Sequence, residues 1–407
     1  MTDILKLIPP MLTGAELRKA LALNPEYDPN ICHASAAERL MALNTLYEIY
    51  YPFSMSSTIY TKLYLAMVRS LQKKTDKLAV QQRNANYFGK GKSYFGVCNS
   101  DSFSIVGLSG SGKTSALDRA ISLMNGDKVI TLSSPYCKIL PILSLQTPFD
   151  CSCKSLCLSL LQAADQALGT TYYQSASKGR ATTDVLINII SNVCFHFSVL
   201  IIDEVQNVVN SRNGAALISF LVQLINSCSS LSICLVGTPD ALIHLGQDFK
   251  LARRSLGIQV GEFPLDADFV GFCETLYRYK YVSGDMILTD GIIQWFYAHS
   301  GGVPAVCTAL LQSAQEMAIL DGTETVTIET LSRAYSQRLG LLHSHIDLAR
   351  VKMTAKRESA PQLPTATELV PSFEKGLLAH TVAEAKRKEL PVLDLLKQRI
   401  TIVEVTV

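Results

Sequence analysis

Hydrophobic positions change their period twice along the chain. Up to about residue 100 they recur at helical spacing, with Ala37, Leu40, Met41 and Leu43 in segment 34–47 and Ile59, Leu63, Ala66, Met67 and Leu71 in 57–71. Pro9, Pro10, Pro25, Pro29 and Pro52 punctuate this region. From Ser102 short apolar runs alternate with amphipathic stretches, the grammar of a parallel α/β sheet. Strands are predicted at 103–106, 128–132, 138–145, 199–202 and 231–236, and helices at 115–124, 152–168, 184–195 and 214–226. Pro141 suggests that the third strand is an edge or carries a bulge. Segment 169–180, polar and aromatic, reads as a loop. From about Pro264 the spacing is helical again, over 266–281, 290–299, 303–320 and 327–339, with Gly301, Gly302 and Pro304 breaking the middle pair.

Four regions follow: helical at 1–95, α/β at 96–262, a helical lid at 263–345, and a tail at 346–407 holding a linker and a partner-binding segment. Polar stretches at 81–92 and 357–367 read as linkers. The last residues, 400–407, alternate like a strand that can add to a partner's sheet edge, with a frayed terminus as the plainer reading.

Composition narrows the class more than the function. Of 407 residues, 48% are hydrophobic and 18% charged, enough for a sizeable core, and the net charge of +2 names no partner. Its distribution says more, because Lys62, Arg69, Lys73, Lys74, Lys77, Arg83, Lys90 and Lys92 face the single acid Asp76. That run suits a polyanion or a solvated helix face. Tyr47, Tyr50, Tyr51, Phe53, Tyr60 and Tyr64 lie at spacings that suit core or interface packing better than base stacking. Scattered cysteines, several inside apolar runs, point to a reduced, cytoplasmic protein. Cys151, Cys153 and Cys157 cluster but lack the paired arms of a zinc site. Asp3 and Pro9-Pro10 argue against a signal peptide, and no apolar run has the length of a membrane span.

The candidate chemistry begins at Gly107-Leu108-Ser109-Gly110-Ser111-Gly112-Lys113-Thr114, between a predicted strand and a predicted helix. Glycines in this frame let backbone N–H groups cradle phosphate oxygens, at a helix N-terminus that adds positive charge. Lys113 is expected on the β- and γ-phosphates and Thr114 on Mg²⁺, so the site predicts binding of ATP or another nucleoside triphosphate. About 90 residues on, Val199-Leu200-Ile201-Ile202 reads as a buried strand ending in Asp203-Glu204. Asp203 is expected in the Mg²⁺ shell and Glu204 as the base that activates water. Thr238, after the next strand, can cap a helix with Pro239 at its first position, sense the γ-phosphate, or do both. Arg253 and Arg254 are solvated surface or, in a ring or filament, a finger reaching a neighbour's nucleotide.

A phosphate loop, an Asp-Glu strand, a polar strand tip and a helical lid together resemble an AAA+ ATPase. More narrowly, Leu145-Gln146-Thr147-Pro148, Lys154-Ser155-Leu156-Cys157, Leu168-Gly169-Thr170-Thr171-Tyr172, Ile202-Asp203-Glu204-Val205-Gln206-Asn207, Gly237-Thr238-Pro239 and Asp248–Arg254 resemble the TnsC/TniB-type AAA+ regulators of DNA transposition. The resemblance covers roughly 100–260. It implies a homo-oligomer, ring or helical filament, that assembles on double-stranded DNA with ATP bound. Such an assembly links a target-selector protein or guide complex to transposase subunits and disassembles on hydrolysis. It also implies Lys113, Thr114, Asp203 and Glu204 in the roles above, Thr238 as sensor, and Arg253 or Arg254 as the finger in trans. Ala305 stands where many AAA+ lids carry a nucleotide-sensing arginine, which suggests slow hydrolysis. Lys154, Thr171, Lys178 and Arg180 are the candidates for DNA contact, each equally readable as solvated exterior. Three rivals remain: a replication-initiator-like ATPase, a secretion-linked ATPase, and a small-molecule P-loop kinase, the last disfavoured by Glu204 and the lid.

Overall fold

The computed structural model describes residues 4–75, 102–133, 136–178, 182–208, 211–227, 230–239, 257–260 and 263–339. Its centre is a six-stranded sheet of β1 (Phe103–Gly107), β2 (Ile130–Ser133), β3 (Tyr136–Gln146), β4 (Phe197–Asp203), β5 (Ser232–Gly237) and β6 (Ile258–Val260), in the order β2-β3-β4-β5-β1-β6. Five strands run parallel. β2, which the sequence places in a parallel sheet, instead pairs antiparallel with the start of β3, from Ile130↔Ile139 to Ser133↔Tyr136. Two residues separate β2 from β3, enough for a hairpin and far too few for a crossover to a parallel strand. Pro141 lies in the second strand of the sheet but just past the stretch that pairs with β2, so one side of β3 has no strand partner there among the described residues, as the edge reading expects. The short β2 ends its pairing at Ile139, and β3 continues beside β4 through Gln146↔Asp203.

The central strands are buried along their whole length, and alternate residues feed opposite faces. On β4, Val199 and Ile201 join one apolar cluster while Leu200 and Ile202 join another. The second face is covered by α5 (Cys153–Leu168), α7 (Thr183–Val193) and α8 (Gly214–Ser227). The first face is covered by α3 (Ser54–Thr75), from the N-terminal region, and by α4 (Lys113–Leu123), which leaves the phosphate loop. That cluster runs on into the lid: α9 (Ala267–Tyr277), α10 (Asp290–Ser300), α11 (Pro304–Leu320) and α12 (Ile328–Ala334). N-terminal helices, sheet face and lid thus share one core.

Within the N-terminal region, α1 (Gly14–Leu21) precedes α2 (Ala36–Ala42), whose capping box joins Ser35 and Glu38. The predicted helix 34–47 changes at Leu43–Glu48 to a 3-10 turn, and Met41, expected on the apolar face, is 69% exposed. The aromatic residues Phe53, Tyr60 and Tyr64 are core, and Tyr64 donates to Pro9 O at 2.8 Å. Tyr47 is exposed. Among the basic residues, Lys74 is buried: its ammonium donates to Phe195 O at 2.8 Å and sits 4.8 Å from the centroid of the Phe195 ring. It is held by the fold and not presented to a polyanion. Lys77, Arg83, Lys90 and Lys92 lie outside the described residues.

Segment 169–180, expected as a loop, contains the helix α6 (Tyr172–Lys178). Its start is made by Asp165 of α5, whose carboxylate accepts the Tyr172 and Tyr173 N–H groups at 2.8 and 2.7 Å and the Thr170 hydroxyl at 2.6 Å. The first lid helix ends at Tyr277 and not at 281, and the last passes into a π-turn at Tyr335–Leu339. Both linkers, the 400–407 segment and the tail lie outside the described residues. Among the described residues no single helix is long and apolar enough to cross a membrane.

Candidate functional site

β1 ends at Gly107 and α4 begins at Lys113, so the phosphate loop caps the sheet's C-terminal edge beside the tips of β4 and β5. Parallel strands place their C-terminal ends together, which is where α/β ligand clefts form. Gly110 and Gly112 adopt φ of +76° and +80°, a left-handed backbone that side chains resist, so these two positions require glycine. Ser111 is buried under the loop, whereas Ser109 is exposed at its rim. The Lys113 ammonium turns back onto its own loop and donates to Gly107 O at 2.9 Å and Leu108 O at 2.7 Å. Burial pulls its pKa below the ordinary lysine value, and the charges of Asp203 and Glu204 oppose that shift.

Thr114 and Asp203 meet although 89 residues separate them: the Thr114 hydroxyl donates to Asp203 Oδ2 at 2.9 Å. The other carboxylate oxygen, Oδ1, accepts the Glu204 N–H at 2.7 Å. Thr147, just past β3, ties the Asp203 carbonyl with its N–H at 2.9 Å and its hydroxyl at 2.7 Å. Asp203 is therefore held from the tip of the neighbouring strand β3 and from the first turn of α4. A hydroxyl and a carboxylate at this separation are hard oxygen donors of the kind Mg²⁺ takes when phosphates and water complete its shell. One turn beyond Thr114, Asp118 has its carboxyl pushed up by burial and by Asp203.

Glu204 leaves β4 in the left-handed region at φ +58°, and its exposed carboxylate accepts a hydrogen bond from the Gln206 side-chain amide. Thr238 is half-buried at the tip of β5, and Pro239 is the first residue of the helical turn that follows. Together these groups border an open cleft of about 230 Å³. The lid closes one side, because Val303 and Ala305 pack on the loop close enough that a Cβ on Gly110 would come within 3.3 and 3.4 Å of them. The methyl of Ala305 fits that contact.

The structure thus brings together the loop, Asp203, Glu204 and Thr238. Of the DNA candidates, the described Lys154 and Thr171 are not brought together. Lys154 is exposed near the start of α5 and Thr171 is exposed beyond its end, about 24 Å apart for a helix of 16 residues at 1.5 Å per residue. Lys178 is the last residue of α6. Arg180, Arg253 and Arg254 lie outside the described residues. In the cysteine cluster, Cys157 is buried and its thiol is pushed up to about 12, while Cys151 Sγ turns to Pro148 O. Among the described residues no group of His, Cys, Asp and Glu could hold a metal ion in the manner of a zinc site. Gln206, Thr147 and Asp118 carry no role that spacing or motif alone assigns. Gln206 stood inside the Asp-Glu motif, but the contacts of Thr147 and Asp118 depend on neighbours far along the chain.

The family described as an AAA domain matches residues 99–245, from the strand entering the phosphate loop to beyond the tip of β5. No curated protein matches the chain. Among solved structures, the chain is similar to the Aeropyrum pernix ORC2 protein in ADPNP–ADP complexes, with 14% identity, TM-score 0.40, and 79% of this chain and 76% of that chain covered. It is similar to the Aeropyrum pernix ORC1 protein in complex with DNA, with 11% identity, TM-score 0.42, and 80% and 77% covered. It is also similar to Cdc6p from Pyrobaculum aerophilum, with 11% identity, TM-score 0.43, and 65% and 67% covered. At these TM-scores the likenesses carry no argument. The AAA-domain match, laid over a phosphate loop that faces a strand-tip Asp-Glu pair, makes the chain an ATPase with a P-loop α/β fold of AAA+ type.

Proposed function

We propose that this ATPase is Mg²⁺-dependent and works as an assembly of copies on duplex DNA, in the broad manner of replication-initiator ATPases. The observation that carries the hydrolytic part is the Thr114–Asp203 contact at the mouth of the phosphate loop. In this reading the loop amides and Lys113 bind the phosphates, and Thr114 and Asp203 hold the cation. When bound, Mg²⁺ draws charge from the phosphate oxygens and orients them. Glu204 takes the proton of the attacking water, and Thr238 faces the γ-phosphate. A head-to-tail contact between copies would bring Arg253 or Arg254 to a neighbour's nucleotide.

The narrower reading couples target-site selection to recruitment and activation of a transposase. Its support is the motif set from Leu145 to Arg254 that resembles the TnsC/TniB-type regulators. The broader reading needs only the site and a polyanion partner, so it is the conclusion.

Electron microscopy of the purified chain with duplex DNA and a non-hydrolysable ATP analogue tests it. Rings or filaments that require both components support assembly on DNA, and isolated monomers under those conditions overturn it. Nucleotide-dependent stimulation of a transposase by the same assemblies would favour the narrower reading.

A further inference from the structure

Gln206 sits two residues past the proposed base, on a 3-10 turn, Val205–Val208, whose two valines are buried. Its side-chain N–H donates to Glu204 Oε2. The amide can face only this way, because the flipped orientation would set its oxygen against a carboxylate. The other amide atom, Oε1, is buried without a hydrogen-bond partner among the described residues. Gln206 also borders the phosphate cleft. A turn-bracing glutamine would satisfy both its atoms, or a leucine would serve in its place. An unpaired buried acceptor beside the base marks a group kept for the site and not for the fold.

We propose that Gln206 is a positioning residue for the hydrolytic water, acting through Glu204; this rests on Glu204 being the base. With the Glu204 backbone fixed at φ +58° and Oε2 held by the amide, Oε1 of Glu204 is left to accept a proton. In the reaction the water oxygen bonds to the γ-phosphorus as the bond to the β–γ bridging oxygen breaks. The water proton passes to Glu204 Oε1, and the electron pair leaves with ADP. Misplacing such a group by an ångström costs up to about 100-fold in rate.

The test compares the wild type, Gln206→Leu and Glu204→Gln for thermal melting, ATP affinity and steady-state phosphate release. Gln206→Leu keeps the volume and removes both amide atoms. The expected result is an unchanged or higher melting temperature, an unchanged KM for ATP, and a kcat lower by roughly 10- to 100-fold. A kcat within about twofold of wild type, while Glu204→Gln loses turnover, overturns the role of Gln206 and leaves Glu204 as the base. A raised KM in proportion to the loss places Gln206 in binding and also overturns the proposal. Full turnover by Glu204→Gln removes the base and this proposal together. Should the leucine variant not fold, Gln206→Glu, equal in length but without the N–H donor, carries the same test and is expected to lose at least as much.

Discussion

Charged groups that tie the N-terminal helices to the lid and to α4 have their counterparts in place; those at the phosphate cleft form no ion pair among the described residues. Arg39 of α2 makes a two-pronged pair with Glu324 and donates to Tyr281 O at 3.1 Å. Arg18 of α1 pairs through both nitrogens with Asp268 at 2.9 Å. Arg119 of α4 closes the end of α1 by donating to the carbonyls of Ala20, Leu21 and Ala22. In the cleft, by contrast, the Lys113 ammonium is hydrogen-bonded within its own loop among the described residues, Glu204 sits exposed on a left-handed backbone, and Asp203 leans on a hydroxyl. Identical chemistry serves stability where both partners belong to the fold. It serves function where the partner arrives with the substrate.

Substitutions sharpen this division. Lys113→Ala is expected to weaken ATP binding by at least about 100-fold. It should leave the melting temperature near wild type, because the ammonium forms no ion pair within 4 Å among the described residues and its hydrogen bonds stay within its own loop; a fluorescent ATP analogue and a thermal melt read both. Glu204→Gln should lower kcat by roughly 100- to 10,000-fold with ATP affinity kept, measured by phosphate release and equilibrium binding. It should also trap assembled protein on duplex DNA. Arg39→Met reverses the pattern: a loss of roughly 2–3 kcal/mol in denaturant unfolding, because Glu324 keeps partial access to water, with turnover unchanged where the protein is folded. Arg18→Ala, at an exposed pair, should cost no more than about 1 kcal/mol.

Acid separates the two regions as well. The Arg39 guanidinium holds the Glu324 carboxyl at about 2, below its ordinary value of 4.5. A depressed carboxyl stabilises the fold fully above its unfolded pKa, and that contribution drains as pH falls from about 4.5 to about 2. Unfolding followed across this window should show the loss in the wild type and a shallower one in Arg39→Met.

Legibility followed the same line. The phosphate loop and the β4 tip were readable because each is a local pattern, glycines at fixed spacing and an apolar run ending in two carboxylates. The strand grammar predicts the sheet, but strand order and direction are long-range properties, so it places β2 in the parallel set although β2 pairs antiparallel with β3. Helix α6 has no start signal in its own segment, because Asp165, in the helix before it, supplies its cap. The burial of Lys74 under Phe195 joins positions 121 residues apart, and Arg39–Glu324 joins positions 285 apart; periodicity carries neither. Gln206 lies two residues past the Asp-Glu pair, and only its contact with Glu204 gives it meaning.

The central claim is that the phosphate loop and the β4 tip act as one hydrolytic site, joined where Thr114 meets Asp203. A double-mutant cycle with Thr114→Ala and Asp203→Asn, read as Mg²⁺-dependent phosphate release, tests it directly. One site predicts that the second substitution adds little once the first is made, leaving a large coupling between them. Fully additive losses would mean that the two residues act apart, and would contradict the account.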